Sequence, residues 1–492
     1  MKTNYFKALF SKETVQQLYI LELLYEHEEG MTAEDFKKHL SLERRNLYKI
    51  IDNIKETSDR EENSGKILFL KGLYYFIGDK IMYFRLRSRL MEEEPMLILA
   101  NLFLTKNEIS LSYFCKSVYI SESTFKRYLQ RTNRLVHTFG IRIRIIKSNI
   151  VLFGKETVIR YCLSSFLWRV YNGVYWPFSS LEKEKVYNTA SMILYSEKGI
   201  AYGKQQQTAY ALAVHIIRAT AKHKVSEKEL PDYYEELIDA NSYFAEFSNM
   251  IETDYQLEKI EVKYMFLRLY TIAETYNYFD AAEKTMDVLE KHAKESYKSV
   301  KDFLYFVKQK HPEFHISKIK YRSFLNMILA GRIFVDIFGD AYFNSANVTP
   351  YYYAERDYPH LLPTIQKIVQ KSNSTHTLAT IKALTLRYGQ AYTMEFSPLD
   401  FEPQILILLD TATPMYIDEM VRERVYDVLH TRFNFSWTDY NSARPDLLIA
   451  SGKVGEKYSD VPTVYINIEV IRKDENALIE ACEKIVFQKN AY

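Results

Sequence analysis

Chain breakers are scarce in this sequence: 14 Gly and 12 Pro are spread over 492 residues. So few breakers leave little room for flexible linkers or a loop-rich β architecture, and predict a mostly helical protein with short connections. Cysteine is scarcer still. Cys115, Cys162 and Cys482 are odd in number, far apart and without CxxC spacing. They exclude a disulfide framework or a zinc site, and suit a reducing compartment. No apolar run approaches the roughly 20 residues needed to cross a bilayer. The opening residues, MKTNYFKALFSKET, lack the apolar centre and cleavage site of a secretory signal. A cytoplasmic protein with no membrane partner is expected. The phosphate-loop pattern, HExxH, GxSxG and a GxGxxG after a strand are all missing, so no enzyme, cofactor or metal is expected. The acidic run Glu92-Glu93-Glu94 sits where a helix N-terminus favours negative charge and needs no catalytic role.

What is present is a chain of globular composition, 47% apolar and 26% charged, long enough for several domains. Its 41 Tyr are expected mainly on half-exposed helix faces. Residues 13–28 place Val15, Leu18, Tyr19, Leu21 and Leu24 at helical spacing, and Gly30 ends that helix. Thr32, with Asp35 three residues on, caps a short second helix, and Ser41 is expected to start a third. Three such helices form a helix-turn-helix plan, in which the last helix offers its N-terminal side chains to base edges. Leu42, Leu47, Ile50, Ile51 and Ile54 suit the inward side. That leaves Glu43, Arg44, Arg45, Asn46, Tyr48 and Lys49 for groove and phosphates. KILFLKGLYYFIG then reads as a hairpin wing turning at Lys71-Gly72.

Residues 94–147 repeat the plan. Pro95 opens an apolar helix, Ser110 caps the next, and Ser121 starts SESTFKRYLQRTNRLVHTFG. IRIRIIKSNIVLFG supplies a second hairpin, expected to turn at Ser148-Asn149. Phe125, Tyr128, Leu129 and Leu135 can pack inward. Ser123, Thr124, Lys126, Arg127, Arg131 and Arg134 are expected to face DNA, with Arg142 and Arg144 on the wing. The net charge of +2 hides an asymmetry here: between Ser121 and Arg160 nine Lys/Arg stand against two acids. Such an excess suits double-stranded DNA, because each neutralised phosphate releases counterions.

After the second wing, Gly154, Glu156 and Arg160 form a Gly-x-Glu-x-x-x-Arg pattern. It resembles the junction in Gram-positive regulators that join paired helix-turn-helix units to phosphotransferase-system regulation domains. The order of segments most resembles the Mga/AtxA class of virulence regulators. The resemblance implies phosphorylation of histidines at two positions in each of two regulation domains. YALAVHIIRATAK puts His215 at the first position, and EVKYMFLR puts Arg268 at the second. In the other domain Asn326 and Arg387 occupy the two positions, with His376 as a looser substitute. A guanidinium or an amide cannot accept a phosphoryl group as imidazole does, so phosphorylation is expected only at His215 or His376. PQILILLD, PDLLIAS and PTVYINIE, alternating with helical segments, predict a small parallel α/β sheet. It is similar to a sugar-transporter IIB domain, but Leu409 to Pro414 lacks the phosphorylatable Cys. The resemblance implies homodimerisation through this domain.

The expected fold is a mainly α multidomain chain. A first winged helix-turn-helix covers 1–80 and a second 81–165. Helical-bundle regulation domains follow at 170–290 and 300–396, and an α/β IIB-like domain at 400–492. The expected function is that of a DNA-binding transcription regulator, an activator of the Mga type controlled through histidine phosphorylation by a phosphotransferase-system phosphocarrier protein. The alternative is an RNA-binding antiterminator, or a non-DNA interaction protein, with similar regulation domains.

Overall fold

The computed structural model describes residues 9–193, 201–278, 280–313, 318–339, 359–373 and 376–490. The chain is mainly helical, at 64% helix, with a few small sheets. It groups into two compact units: Met1–Phe306 with Leu325–Val348 and Thr375–Leu384, and Val307–Phe324 with Thr349–Ser374 and Thr385–Tyr492.

The first unit begins with α1 (Lys12–Glu26), α2 (Ala33–His39) and α3 (Arg44–Arg60), then the antiparallel hairpin β1 (Lys66–Leu70) and β2 (Leu73–Ile77). Leu18, Ile20, Leu21 and Leu24 of α1 and Leu47, Ile50, Ile51 and Ile54 of α3 are buried, so each helix hides one apolar stripe. Thr32 and Asp35 form the expected reciprocal cap of α2. Ser41 does not start α3: the helix begins at Arg44 behind Glu43, which makes no side-chain cap. The turn falls at Lys71-Gly72, both left-handed, as a tight hairpin requires. Gly30 is also left-handed and lies against the Tyr75 ring, where a Cβ would collide.

After α4 (Lys80–Arg89) the arrangement recurs. It runs through α5 (Pro95–Leu102), β3 (Glu108–Ser110), α6 (Leu111–Ser117) and α7 (Glu122–Val136) to the hairpin β4 (Arg142–Ile146) and β5 (Asn149–Phe153). Ile146 pairs with Asn149, which moves the turn to Lys147-Ser148, one residue before the expected place. β3 pairs with β5, and in the first copy Met31 pairs with Tyr74 in the same way. Three residues are too few to show a period, and β3 was not expected from the sequence.

Helix α8 (Glu156–Tyr171) is almost wholly buried. It packs on α10 (Tyr202–Thr220), which also meets α9 (Lys183–Ile193). Then come α11 (Tyr234–Asp239), α12 (Phe244–Tyr255), α13 (Lys259–Leu269), α14 (Ala281–His292), α15 (Lys294–Lys310) and α16 (Lys318–Phe338). Many tyrosines lie deeper than expected. Tyr210, Tyr264, Tyr270 and Tyr276 are fully buried, and the Tyr276 hydroxyl donates to the Tyr270 carbonyl at 2.8 Å. A buried hydroxyl with a partner is tolerated in a helical core.

The second unit contains α17 (Leu361–Ser372) and most of α18 (Leu378–Glu395), then a sheet of β6 (Ile405–Asp410), β7 (Phe435–Thr438), β8 (Leu447–Ala450) and β9 (Thr463–Tyr465). The order is β7-β6-β8-β9, all parallel, as the strand and helix alternation predicts. Ile405, Ile407 and Leu409 meet Val421, Val425 and Leu429 of α19 (Met415–Leu429) and Leu478, Cys482 and Ile485 of α20 (Arg472–Asn490). Leu408 and Leu448 point to the opposite face, over Tyr458 and Val461. β7 was not expected; its four residues are half-polar and carry no buried-strand run.

Candidate nucleic-acid interface

Ser121 accepts the Thr124 N–H at 3.1 Å and fixes the start of α7. From there the helix presents Ser123, Lys126, Arg127 and Arg134 to solvent, while Phe125 and Leu129 are buried and Thr124 is half-buried. Asn133 ties this helix to the wing, donating to the Ile143 carbonyl at 2.7 Å and accepting its N–H at 2.9 Å. On β4, Arg142 and Arg144 are exposed on either side of buried Ile143, and Lys147 is exposed at the turn. A basic helix and a basic hairpin edge are thus braced together, which suits contact with a polyanion.

Two expected members of the basic set are used elsewhere. Arg131 turns away from solvent and donates to the Phe10 carbonyl at 2.7 Å, ahead of α1. Arg160 is fully buried and ion-paired. The local excess survives without Arg160, because Glu156 is buried with it. Glu94 caps no orphan N–H of its own helix. It is buried and accepts the Ser11 N–H at 3.0 and 3.1 Å.

In the first copy Arg44, Arg45, Asn46, Tyr48 and Lys49 are all exposed on the first two turns of α3. Arg44 Nε donates to the Tyr48 hydroxyl at 2.7 Å, one helical turn away. The first hairpin differs from the second. Its tip exposes Leu68, Phe69 and Leu70, with Lys71 at the turn.

Behind the second copy lies a buried ionic cluster. Glu156 accepts from Arg160 Nε at 2.8 Å and from Arg218 Nε and Nη2 at 2.6 Å each. Arg218 also donates to the Phe103 carbonyl and, at 2.9 Å, to Asn107 Oδ1. Arg160 grips Glu261 and reaches the His223 carbonyl at 2.5 Å. Sequence reasoning noticed Glu156 and Arg160 only as a junction pattern and missed Arg218 and Glu261, whose helices lie roughly 60 to 100 residues away along the chain.

His215 belongs to this cluster and is completely buried. Arg160 Nη1 lies 3.0 Å from its Nδ1 and 3.4 Å from its Nε2, and Glu261 lies 3.4 Å from Nε2. Burial, then the Arg160 and Arg268 charges, hold the ring neutral, well below the usual imidazole range. His376 is half-buried, with Nε2 3.3 Å from Arg332 and Nδ1 3.7 Å from Glu295. Its pKa is also lowered, by burial first and then by Arg332. Arg332 in turn pairs with Asp336, which accepts from Ser296 at 3.1 Å. Asn326 is buried and donates to Asn277 at 2.8 Å. In the second unit, Thr411 and Thr413 in the loop after β6 both donate to Asp418.

Among the described residues no helix is long and apolar enough to cross a membrane. No curated protein matches the chain. Residues 83–167, which run from within α4 through the second hairpin into α8, match the family model of the Mga helix-turn-helix domain. That stretch carries the exposed basic helix and hairpin, and the match supports a DNA-binding transcription regulator.

Proposed function

We propose that the chain binds duplex promoter DNA through two winged helix-turn-helix heads, 1–80 and 81–165, and activates transcription as a virulence regulator. The observation that carries this reading is the outward set Lys126, Arg127, Arg134, Arg142 and Arg144 on one helix and its wing. Segments 170–290 and 300–396 act as regulation domains that bias how the heads are held, in response to histidine phosphorylation by a phosphocarrier protein. His376 is the better exposed acceptor, since both ring nitrogens of His215 lie against Arg160 and Glu261. Segment 400–492 is a IIB-like dimerisation domain without a reactive Cys. The exposed Met415, Tyr416, Met420 and Tyr426 of α19 support a self-association face there.

Gel shifts of the full chain across a salt series test the reading. Duplex DNA is expected to bind and single-stranded RNA of equal length is not. Arg127→Ala with Arg134→Ala is expected to reduce the salt slope by roughly 0.9 for each phosphate that is no longer neutralised. Preference for the RNA, or an unchanged slope in the variant, points to the antiterminator reading instead. Loss of phosphohistidine in His376→Ala, but not in His215→Ala, is the expected outcome of labelling with the phosphocarrier relay.

A further inference from the structure

We propose that the cavity between α8, α10 and α13 binds a small organic anion, a carboxylate or phosphate monoester, held by Arg268. The cavity measures about 180 Å³ and lies within the first unit. Tyr161, Trp168, Thr208, Leu212, Met265 and Arg268 are among its walls, and among the described residues no acidic side chain lines it. This inference goes beyond the regulatory reading and does not depend on DNA binding.

The argument is one of charge. The fully buried arginines Arg160, Arg218 and Arg332 each hold a carboxylate. Arg268 is half-buried and enters no ion pair among the described residues. Glu261, on the same helix, is already taken by Arg160 and by the Val225 N–H at 2.9 Å. A guanidinium facing a cavity without a counter-charge favours a ligand that supplies one, through forked charge-assisted hydrogen bonds. Ser164, Gln207 and Thr208 add polar groups for such a ligand, while Trp168, Leu212 and Met265 offer apolar wall. The volume is below the roughly 300–1,000 Å³ of sites for drug-sized ligands, so the occupant is a compact metabolite.

Calorimetric titration of the full chain tests this with glycerol 3-phosphate, lactate, inorganic phosphate and uncharged glycerol, at fixed ionic strength. At least one organic anion is expected to bind, and glycerol is not. The phosphate and carboxylate arms tell which headgroup is preferred. Arg268→Met is expected to weaken binding roughly ten- to a hundredfold, and Arg268→Lys less. Failure of every organic anion to bind the wild-type chain overturns the proposal. So does binding that survives Arg268→Met with an unaltered circular dichroism spectrum. If that variant does not fold, Ala211→Leu decides by the same criteria, because it fills the cavity and leaves the guanidinium in place.

Discussion

The two N-terminal helix-and-hairpin units share an order of elements, with strand β3 of the second matched in the first by the single Met31–Tyr74 bridge, yet their hairpins carry opposite chemistry. The first exposes Leu68, Phe69 and Leu70, and the second exposes Arg142, Arg144 and Lys147. Their fastening differs as well. The second head is tied through Phe103 and Asn107 to a buried ionic cluster. The first meets the second through backbone groups at Phe10 and Ser11, which bond Arg131 and Glu94, and its Glu61 side chain accepts from Arg89 and the Tyr175 hydroxyl. Under the proposed function one scaffold takes two tasks: phosphate affinity in the copy with the buried ionic seat, and a less charged surface in the other. Each difference can be attacked separately.

The seat should produce the largest effect. Glu156 and Glu261 together balance Arg160 and Arg218, both without solvent access, and Glu156 touches both arginines. Removing one member of a buried ion group leaves an uncompensated charge, so Glu156→Gln is expected to cost roughly 3–5 kcal/mol in urea unfolding. The exposed Glu56–Arg60 pair of the first head is the control, and Glu56→Gln should change stability by less than about 1 kcal/mol. Equal effects at the two positions would mean that the buried cluster holds no more strongly than a surface pair.

The wings come next. Arg142→Ala with Arg144→Ala should weaken duplex binding and lower the slope of log affinity against log salt by roughly 1.8. Phe69→Ala with Leu70→Ala removes no charge, and the slope should stay where it is. Binding curves over a range of salt concentrations separate these outcomes. A slope that falls equally in both variants would mean that the heads do not divide the task by charge.

Much of this contrast was legible in the sequence, because it depends on local signals. Thr32 and Asp35, Ser121, and the alternation of Arg142, Ile143 and Arg144 each act within a few residues. The parallel sheet of the second unit was readable for the same reason, in runs such as Ile405–Asp410. What escaped was long-range. Arg131 sits on α7 at a spacing that admits either face, and only the Phe10 carbonyl decides which one it takes. The Arg218–Glu156 pair joins residues 62 positions apart, and no periodicity reports that. His215 was readable as a histidine on a helix, but its burial against Arg160 was not.

The smallest effect lies at the starts of the two outward helices. Ser121 caps α7 through its hydroxyl, whereas Glu43, in the same extended conformation before α3, makes no side-chain bond. The orphan N–H groups of α3 are therefore left to solvent. Ser121→Ala is expected to cost about 1 kcal/mol, and Glu43→Ser to recover a similar amount by supplying the missing cap. Thermal unfolding of the two single variants checks the signs. They must be opposite if capping separates the helices, and a stabilising Glu43→Ser would also show that the first head carries a correctable local weakness which the second does not.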